Sequence, residues 1–269
     1  MNHDDRYFST ENGELYAQLA DAVLTVTINR PAVKNAMDQQ GWDGLFDLLR
    51  RVERDDEVRV LVLQGAGGSF CSGADISGVP AGHPLNRVRF ISRTALALQS
   101  FPKPVVAKVE GYAIGAGWNL ALCCDLVVAA DDAKFSAIFA KRGLTLDFGG
   151  SWLLSRLAGL QQAKRLALLA EFVGAQEARE LGLVTWTVPG AEIDEFVADL
   201  TSRLAAMPPI ALAQNKELLN AGVNRSFGEA LEEEARAQTV NYATEDVPRA
   251  FQAFRDKNSE VEFTGRWAL

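Results

Sequence analysis

The sequence predicts an α/β fold with a helical C-terminal extension, and three observations predict it. Predominantly apolar runs over residues 58–63 and at Val105–Val109 read as strands buried on both faces, the pattern of a parallel sheet. A stretch of helical periodicity lies before each run, so strands and helices alternate in the order of α/β units. From about Gln161 onward helical patterns dominate.

The elements follow in order. After a polar arm containing His3, Leu15–Ala20 and residues 23–29 alternate apolar and small polar side chains around Asp21, as the two strands of a hairpin do. Asn29-Arg30-Pro31 ends the second strand. Between Asp38 and Glu53, Trp42, Leu45, Phe46, Leu49 and Val52 recur at helical spacing, with Asp38 as N-cap and Gly41 as the weak helix former. The strand over 58–63 leads into a Gly-rich loop, then a helix over residues 86–101 that stops before Pro102, then Val105–Val109. In the C-terminal third helices are expected over 163–169, over 175–181 up to Gly182, and over 193–206 up to Pro208-Pro209. Another opens with the capping box Ser226-x-x-Glu229 and runs to Tyr242, and the last covers 246–257. No linker, low-complexity tract or internal repeat interrupts the chain. The expected organisation is therefore a core over residues 1–200 and a helical extension over 201–269, which either packs on that core or mediates subunit contact.

Composition narrows the function. With 27 Lys and Arg against 35 Asp and Glu the formal charge is −8, so the electrostatic footprint of a nucleic-acid partner is missing. An apolar share of 48% is enough for a packed core and excludes global disorder. The two histidines, His3 and His83, leave little material for imidazole catalysis or a metal site, so no metal is expected and the chemistry should rest on a carboxylate. Cys71, Cys123 and Cys124 are odd in number with two adjacent, which does not suit a disulfide framework. The start MNHDDRYFST lacks the pattern of a signal peptide, and the uncharged stretch 112–124 is too short to span a bilayer. A cytoplasmic protein without membrane contact is expected.

Three glycine-rich segments, 64–76, 111–125 and 141–152, follow or flank the expected strand ends, where α/β folds place ligands. Gly68 and Gly73 have the separation of a triphosphate loop, but Ala74-Asp75 stand where Lys-Ser/Thr is required. Gly115 and Gly117 start a dinucleotide fingerprint that Leu120 breaks. Ser151 lacks the glycine two places on that a nucleophile elbow needs. What remains is exposure of backbone N–H groups: the Gly115–Gly117 turn feeds a helix, and a second amide from the Gly73-Ala74 turn would complete an oxyanion hole. The alternative is that these glycines serve only tight turns and close packing.

Asn29-Arg-Pro-Ala-Val-Lys-Asn-Ala-Met37, Phe70-Cys-Ser-Gly-Ala-Asp75, Lys103-Pro-Val-Val-Ala107 and Gly111-Tyr-Ala-Ile-Gly-Ala-Gly117 resemble the enoyl-CoA hydratase/isomerase (crotonase) superfamily, in register over nearly the whole chain. The resemblance implies a spiral of ββα units with a helical C-terminal trimerisation region, an acyl-CoA thioester substrate, and a thioester enolate held by the amides of Ala74 and Ala116. CoA then enters as part of the substrate and no separate cofactor is implied. Members that hydrate enoyl-CoA carry two glutamates, at the positions that hold Asn119 and Phe139 here, so ordinary hydratase chemistry is not expected.

Residues 143–154 resemble instead the isomerase branch typified by 1,2-epoxyphenylacetyl-CoA isomerase, in which an aspartate before Gly-Gly is the base, which implies that role for Asp147. That points to fatty-acid or phenylacetate metabolism, with a double-bond shift or the rearrangement of a ring-epoxide acyl group. Leu144, Leu146 and Phe148 are expected to shield Asp147 and raise its pKa; alternatively Asp147 only caps the helix near Gly150. Asn119 either orients the acyl group, bonds to Asp147, or is a satisfied polar residue at the helix start. The resemblance further places Lys34 at the CoA phosphates, Ala36 and the backbone of Ala74, Asp75 and Ile76 along pantetheine and adenine, and Phe254 and Lys257 on a helix that completes a neighbour's site, within a homotrimer or a homohexamer. Arg30 is read as structural. Two competing functions stay open: an aryl-CoA dehalogenase or hydrolase with Asp147 as nucleophile, and a noncatalytic acyl-CoA-binding scaffold.

Overall fold

The computed structural model describes residues 7–78, 82–257 and 261–268; His3 lies outside them. Strands β1 (Phe8–Ser9), β2 (Leu15–Ala20) and β3 (Val23–Ile28) form an antiparallel meander. The β2–β3 turn has Asp21 and Ala22 both at positive φ, 48° and 62°, the conformation whose twist matches a two-residue hairpin. Helix α1 (Gln39–Val52) is capped by Asp38, whose side chain accepts from the Gly41 amide at 2.8 Å. Strand β4 occupies Val60–Gly65, two residues later than the sequence suggests. The shift has a local cause: the Val58 and Arg59 amides are spent on the Asp55 and Ala22 carbonyls before the ladder begins. Helix α2 (Pro84–Gln99) follows, with the His83 side chain as its N-cap, and then β5 (Val105–Val109).

From here the chain alternates between two sheets. β5 joins the first sheet, β6 (Tyr112–Ile114) the second, and helix α3 (Ala116–Leu122) closes the turn. β7 (Leu126–Ala130) returns to the first sheet and β8 (Lys134–Ser136) to the second, followed by α4 (Gly150–Leu157) and α5 (Gly159–Leu169). A third passage places β9 (Val173–Gly174) in the second sheet and, after α6 (Ala175–Glu180), β10 (Trp186–Val188) in the first. The first sheet thus runs β1-β2-β3-β4-β5-β7-β10, parallel from β3 onward, and the second β6-β8-β9. From β5 onward the chain is thus a spiral that gives one strand to each sheet per turn, as the resemblance implies.

Period-two side-chain alternation divides the core. Leu61, Leu63, Val105 and Ala107 face the large cluster with Trp42, Leu45 and Leu49 of α1, whereas Val60, Val62, Val106 and Val128 face Ile193, Val197 and Leu200 of α7 (Ile193–Ala205). The C-terminal helices are α8 (Pro209–Gly222), α9 (Phe227–Tyr242) and α10 (Asp246–Asp256). The sequence reading omits α8, since its apolar residues form no one-sided stripe and none is buried. Polar ties hold it: Lys216 pairs with Asp125 at 2.7 Å and Asn220 donates to the Gln99 carbonyl at 3.0 Å. Among the described residues no helix is long and apolar enough to cross a membrane.

Candidate active site

The site is built where the end of β6 meets segment 71–75. Gly115 has φ 58° and ψ −124°, a conformation L side chains avoid, and this turns the chain so that Ala116 is the first residue of α3. Segment 71–75 lies against that turn through backbone bonds: the Cys71 amide donates to Tyr112 at 3.0 Å and the Ile114 amide to Cys71 at 2.9 Å. Contact is close enough to require glycine. A Cβ on Gly117 would stand 2.1 Å from the Cys71 carbonyl oxygen, and one on Gly73 would stand 2.9 Å from that of Ile114 and 3.4 Å from the Ala116 nitrogen. On the outer side the Met37 amide donates to Gly73 and the Asp75 amide to Met37. The amides between these bonds, those of Ala74 and Ala116, donate to no protein acceptor among the described residues. Two free donors on adjacent turns can stabilise an oxyanion.

Asp147 is tied to α3 through Asn119. Asn119 lies one helical turn after Ala116 and is fully buried. Its Nδ2 donates to the main-chain oxygen of Asp147 at 2.9 Å, and the Gly150 amide donates to that same oxygen at 2.8 Å. Phe148 follows in the left-handed region, φ 47°, with its ring buried 5.0 Å from that of Trp42. The Asp147 carboxylate is not used as a cap: α4 is capped by Gly149, at φ 80°, with no side-chain bond. One carboxylate oxygen, Oδ1, is buried with no partner. Burial raises the Asp147 pKa to about 6, opposed only by a bond from its own amide, and no charged side chain contributes.

The expected shield needs one correction. Leu144 is 58% exposed because Gly143, at φ 68°, turns the chain outward there; Leu146 and Phe148 do pack on the core, Phe148 against Trp42. Phe139 is buried, and its ring edge lies 3.7 Å from where a Gly115 Cβ would be, so a hydrocarbon flanks the amide turn. The sequence reading overlooks Trp42 and Gly150. The first reads simply as core and the second as turn glycine.

Lys34, Ala36, Asp75 and Ile76 come together along one edge of the site. Lys34 is exposed at φ 51°, its carbonyl accepts from the Ser72 amide at 2.9 Å, and its Nζ stands 4.1 Å over the Tyr112 ring. Ile76 is 72% exposed. Arg30 ties the edge together: it donates to the Ala36 carbonyl at 2.6 Å, to Asp75 at 2.9 Å and to Glu14 at 3.0 Å. Hydrogen bonds from Ser77 and Arg30 lower the Asp75 pKa to about 2. Phe254 and Lys257 are exposed at the end of α10, and among the described residues no hydrogen bond or ion pair joins them to this edge within one chain. Burial pushes the Cys71 and Cys123 thiols up to about 12, which leaves them unreactive. A cavity of 910 Å³ lies at the other end of α3, lined by Cys123, Cys124, Trp152 and Leu219, away from the two amides. Among the described residues no group of three or more His, Cys, Asp or Glu could hold a metal ion.

Comparison with known proteins places this architecture. Residues 18–266 match the family model described as enoyl-CoA hydratase/isomerase. The chain belongs to that family. This crotonase-family chain is 34% identical to 1,2-epoxyphenylacetyl-CoA isomerase of Escherichia coli K12, over 94% of its length and 98% of the relative's. It is 36% identical to a probable enoyl-CoA hydratase of Rhodobacter capsulatus, over 93% and 97%. Among solved structures, a putative enoyl-CoA hydratase from Streptomyces coelicolor A3(2) superposes with a TM-score of 0.89 at 35% identity, covering 94% of each chain. An enoyl-CoA hydratase from Bacillus anthracis gives 0.90 at 29%, over 94% and 100%. The enzyme is thus a crotonase-family acyl-CoA enzyme, and relatives of both reaction types match it about equally well.

Proposed function

We propose that this enzyme is an isomerase that shifts a double bond in an acyl-CoA through a thioester enolate. The observation that carries the reading is Asp147: a carboxylate with a buried, unpartnered oxygen and a pKa raised to about 6, tied through Asn119 to the turn that bears the Ala116 amide. The Ala74 and Ala116 amides donate hydrogen bonds to the thioester oxygen as it gains negative charge. Asp147 removes a proton from the carbon conjugated with the thioester, and the electron pair moves into the enolate. The same carboxylate, once its proton has exchanged with water, returns a proton two carbons away, so no atom is gained or lost. A pKa near the working pH suits a group that must both take and give a proton.

Asn119 and Phe139 support isomerisation over hydration, because neither an amide nor a phenyl ring activates water. CoA is assigned to the edge bearing Lys34, Ala36 and the Ala74–Asp75–Ile76 backbone, with Phe254 and Lys257 offered to a neighbouring subunit of a cytoplasmic homotrimer or homohexamer. Incubation of 3-enoyl-CoA and arylacetyl-CoA thioesters in heavy water tests the reading. Deuterium is expected at the α or γ carbon with the wild type, and Asp147→Asn is expected to stop its entry; exchange that persists in Asp147→Asn overturns the assignment.

A further inference from the structure

We propose that Asn119 and Gly150 are positioning residues that set Asp147 through its own main-chain carbonyl, an inference that rests on Asp147 being the base. Two N–H groups converge on that single oxygen, Asn119 Nδ2 at 2.9 Å and the Gly150 amide at 2.8 Å. Both acceptor sites of the carbonyl are thereby used, and the peptide plane that follows Asp147 is held from two directions. The next residue, Phe148, is left-handed without being glycine, a conformation that persists where its surroundings over-determine it, and its ring is locked against Trp42. Main chain on the C-terminal side of the Asp147 Cα is fixed while the carboxylate oxygen Oδ1 is left without a partner.

Gly150 is where the two donors meet. A Cβ there would stand 2.4 Å from Asn119 Nδ2 and 2.8 Å from its Cγ and Oδ1, so the Asn119 amide occupies the space a side chain at 150 would need. Gly150 is not among the positive-φ residues and it begins α4, so alanine suits its backbone and would favour the helix. What alanine displaces is Asn119. The amide has no second anchor, since Asn119 Oδ1 is buried without a partner. Its placement depends on the Asp147 carbonyl and on the space at 150.

A double-mutant cycle on Asp147-dependent deuterium exchange tests this. Asn119→Ala and Gly150→Ala are each expected to lower kcat about tenfold with little change in KM, since misplacing a base costs the chemical step. Adding Gly150→Ala to Asn119→Ala is expected to cost less than about twofold more, because the methyl then enters vacated space. Melting curves confirm that each variant is folded, and Asn119→Ser replaces Asn119→Ala should the latter not fold. Losses that multiply, a wild-type rate in Gly150→Ala, or a rise in KM at constant kcat each overturn the inference. Exchange that survives Asp147→Asn removes the base assignment itself, whereas exchange lost in Asp147→Asn with a multiplicative cycle removes only the positioning role.

Discussion

Asp147 carries two opposing demands, and pH separates them. Its pKa is raised by burial to about 6, against 3.8 for an exposed aspartate. A raised carboxylate favours the fold below the unfolded value and loses that contribution as pH rises through the folded value. At neutral pH the ionised group therefore destabilises the protein, by about 1–2 kcal/mol once partial solvent access is allowed for. Asp147→Asn should melt at a higher temperature than the wild type at pH 7–8, with the gap closing below about pH 4. Calorimetry across pH 3–8 checks this, and equal melting temperatures throughout would contradict a buried base. Activity runs the other way, since the base must be ionised: exchange should rise with pH through about 6. Asp147 was legible as a candidate through the likeness of residues 143–154 to the isomerase branch, and its shielding through the flanking Leu146 and Phe148. Its freedom from capping was not, since an Asp followed by Gly-Gly before a helix equally describes an N-cap, and only the observed hydrogen bonds separate the two.

At the scale of elements, the two amides depend on how closely α3 approaches segment 71–75. Gly117→Ala would place a methyl 2.1 Å from the Cys71 carbonyl, where backbone must move on both sides. A loss of about 2–3 kcal/mol in stability is expected, together with loss of activity, read by urea denaturation and by the exchange assay. A folded, active Gly117→Ala would mean that the amides are not set by this contact. The glycines were visible in the sequence, and so was the turn feeding α3. Hidden were the short strands β6, β8 and β9, whose two or three residues are too few to show a period, and α8, whose attachment is polar. The β2–β3 hairpin, α1 with its Asp38 cap and the capping box of α9 were all readable, because each is fixed by local sequence rather than by partners far along the chain.

For the whole molecule, parallel α/β pairing follows from strands and helices alternating and the spiral from the family resemblance, but the splitting into two sheets is not legible in the element order, because pairing is decided by residues distant in sequence. The surface of a single chain also leaves large apolar side chains uncovered: Leu168 is 73%, Leu219 75%, Phe227 80% and Phe254 86% exposed. A homotrimer or homohexamer is expected to cover much of this area, so light scattering should give three or six times the 29.2 kDa of the chain. Phe254→Ala and Lys257→Ala should then raise KM for acyl-CoA with little change in kcat; a monomer at full activity would contradict that assembly.

The central claim is that Asp147 moves a proton and does not add water. One experiment reads both events: 3-enoyl-CoA is incubated with the enzyme in water labelled with deuterium and oxygen-18, and the thioester is followed by mass spectrometry. The account requires deuterium in the product, a shifted double bond, no oxygen-18, and no reaction in Asp147→Asn. Uptake of oxygen-18 into a hydroxyacyl-CoA would contradict it.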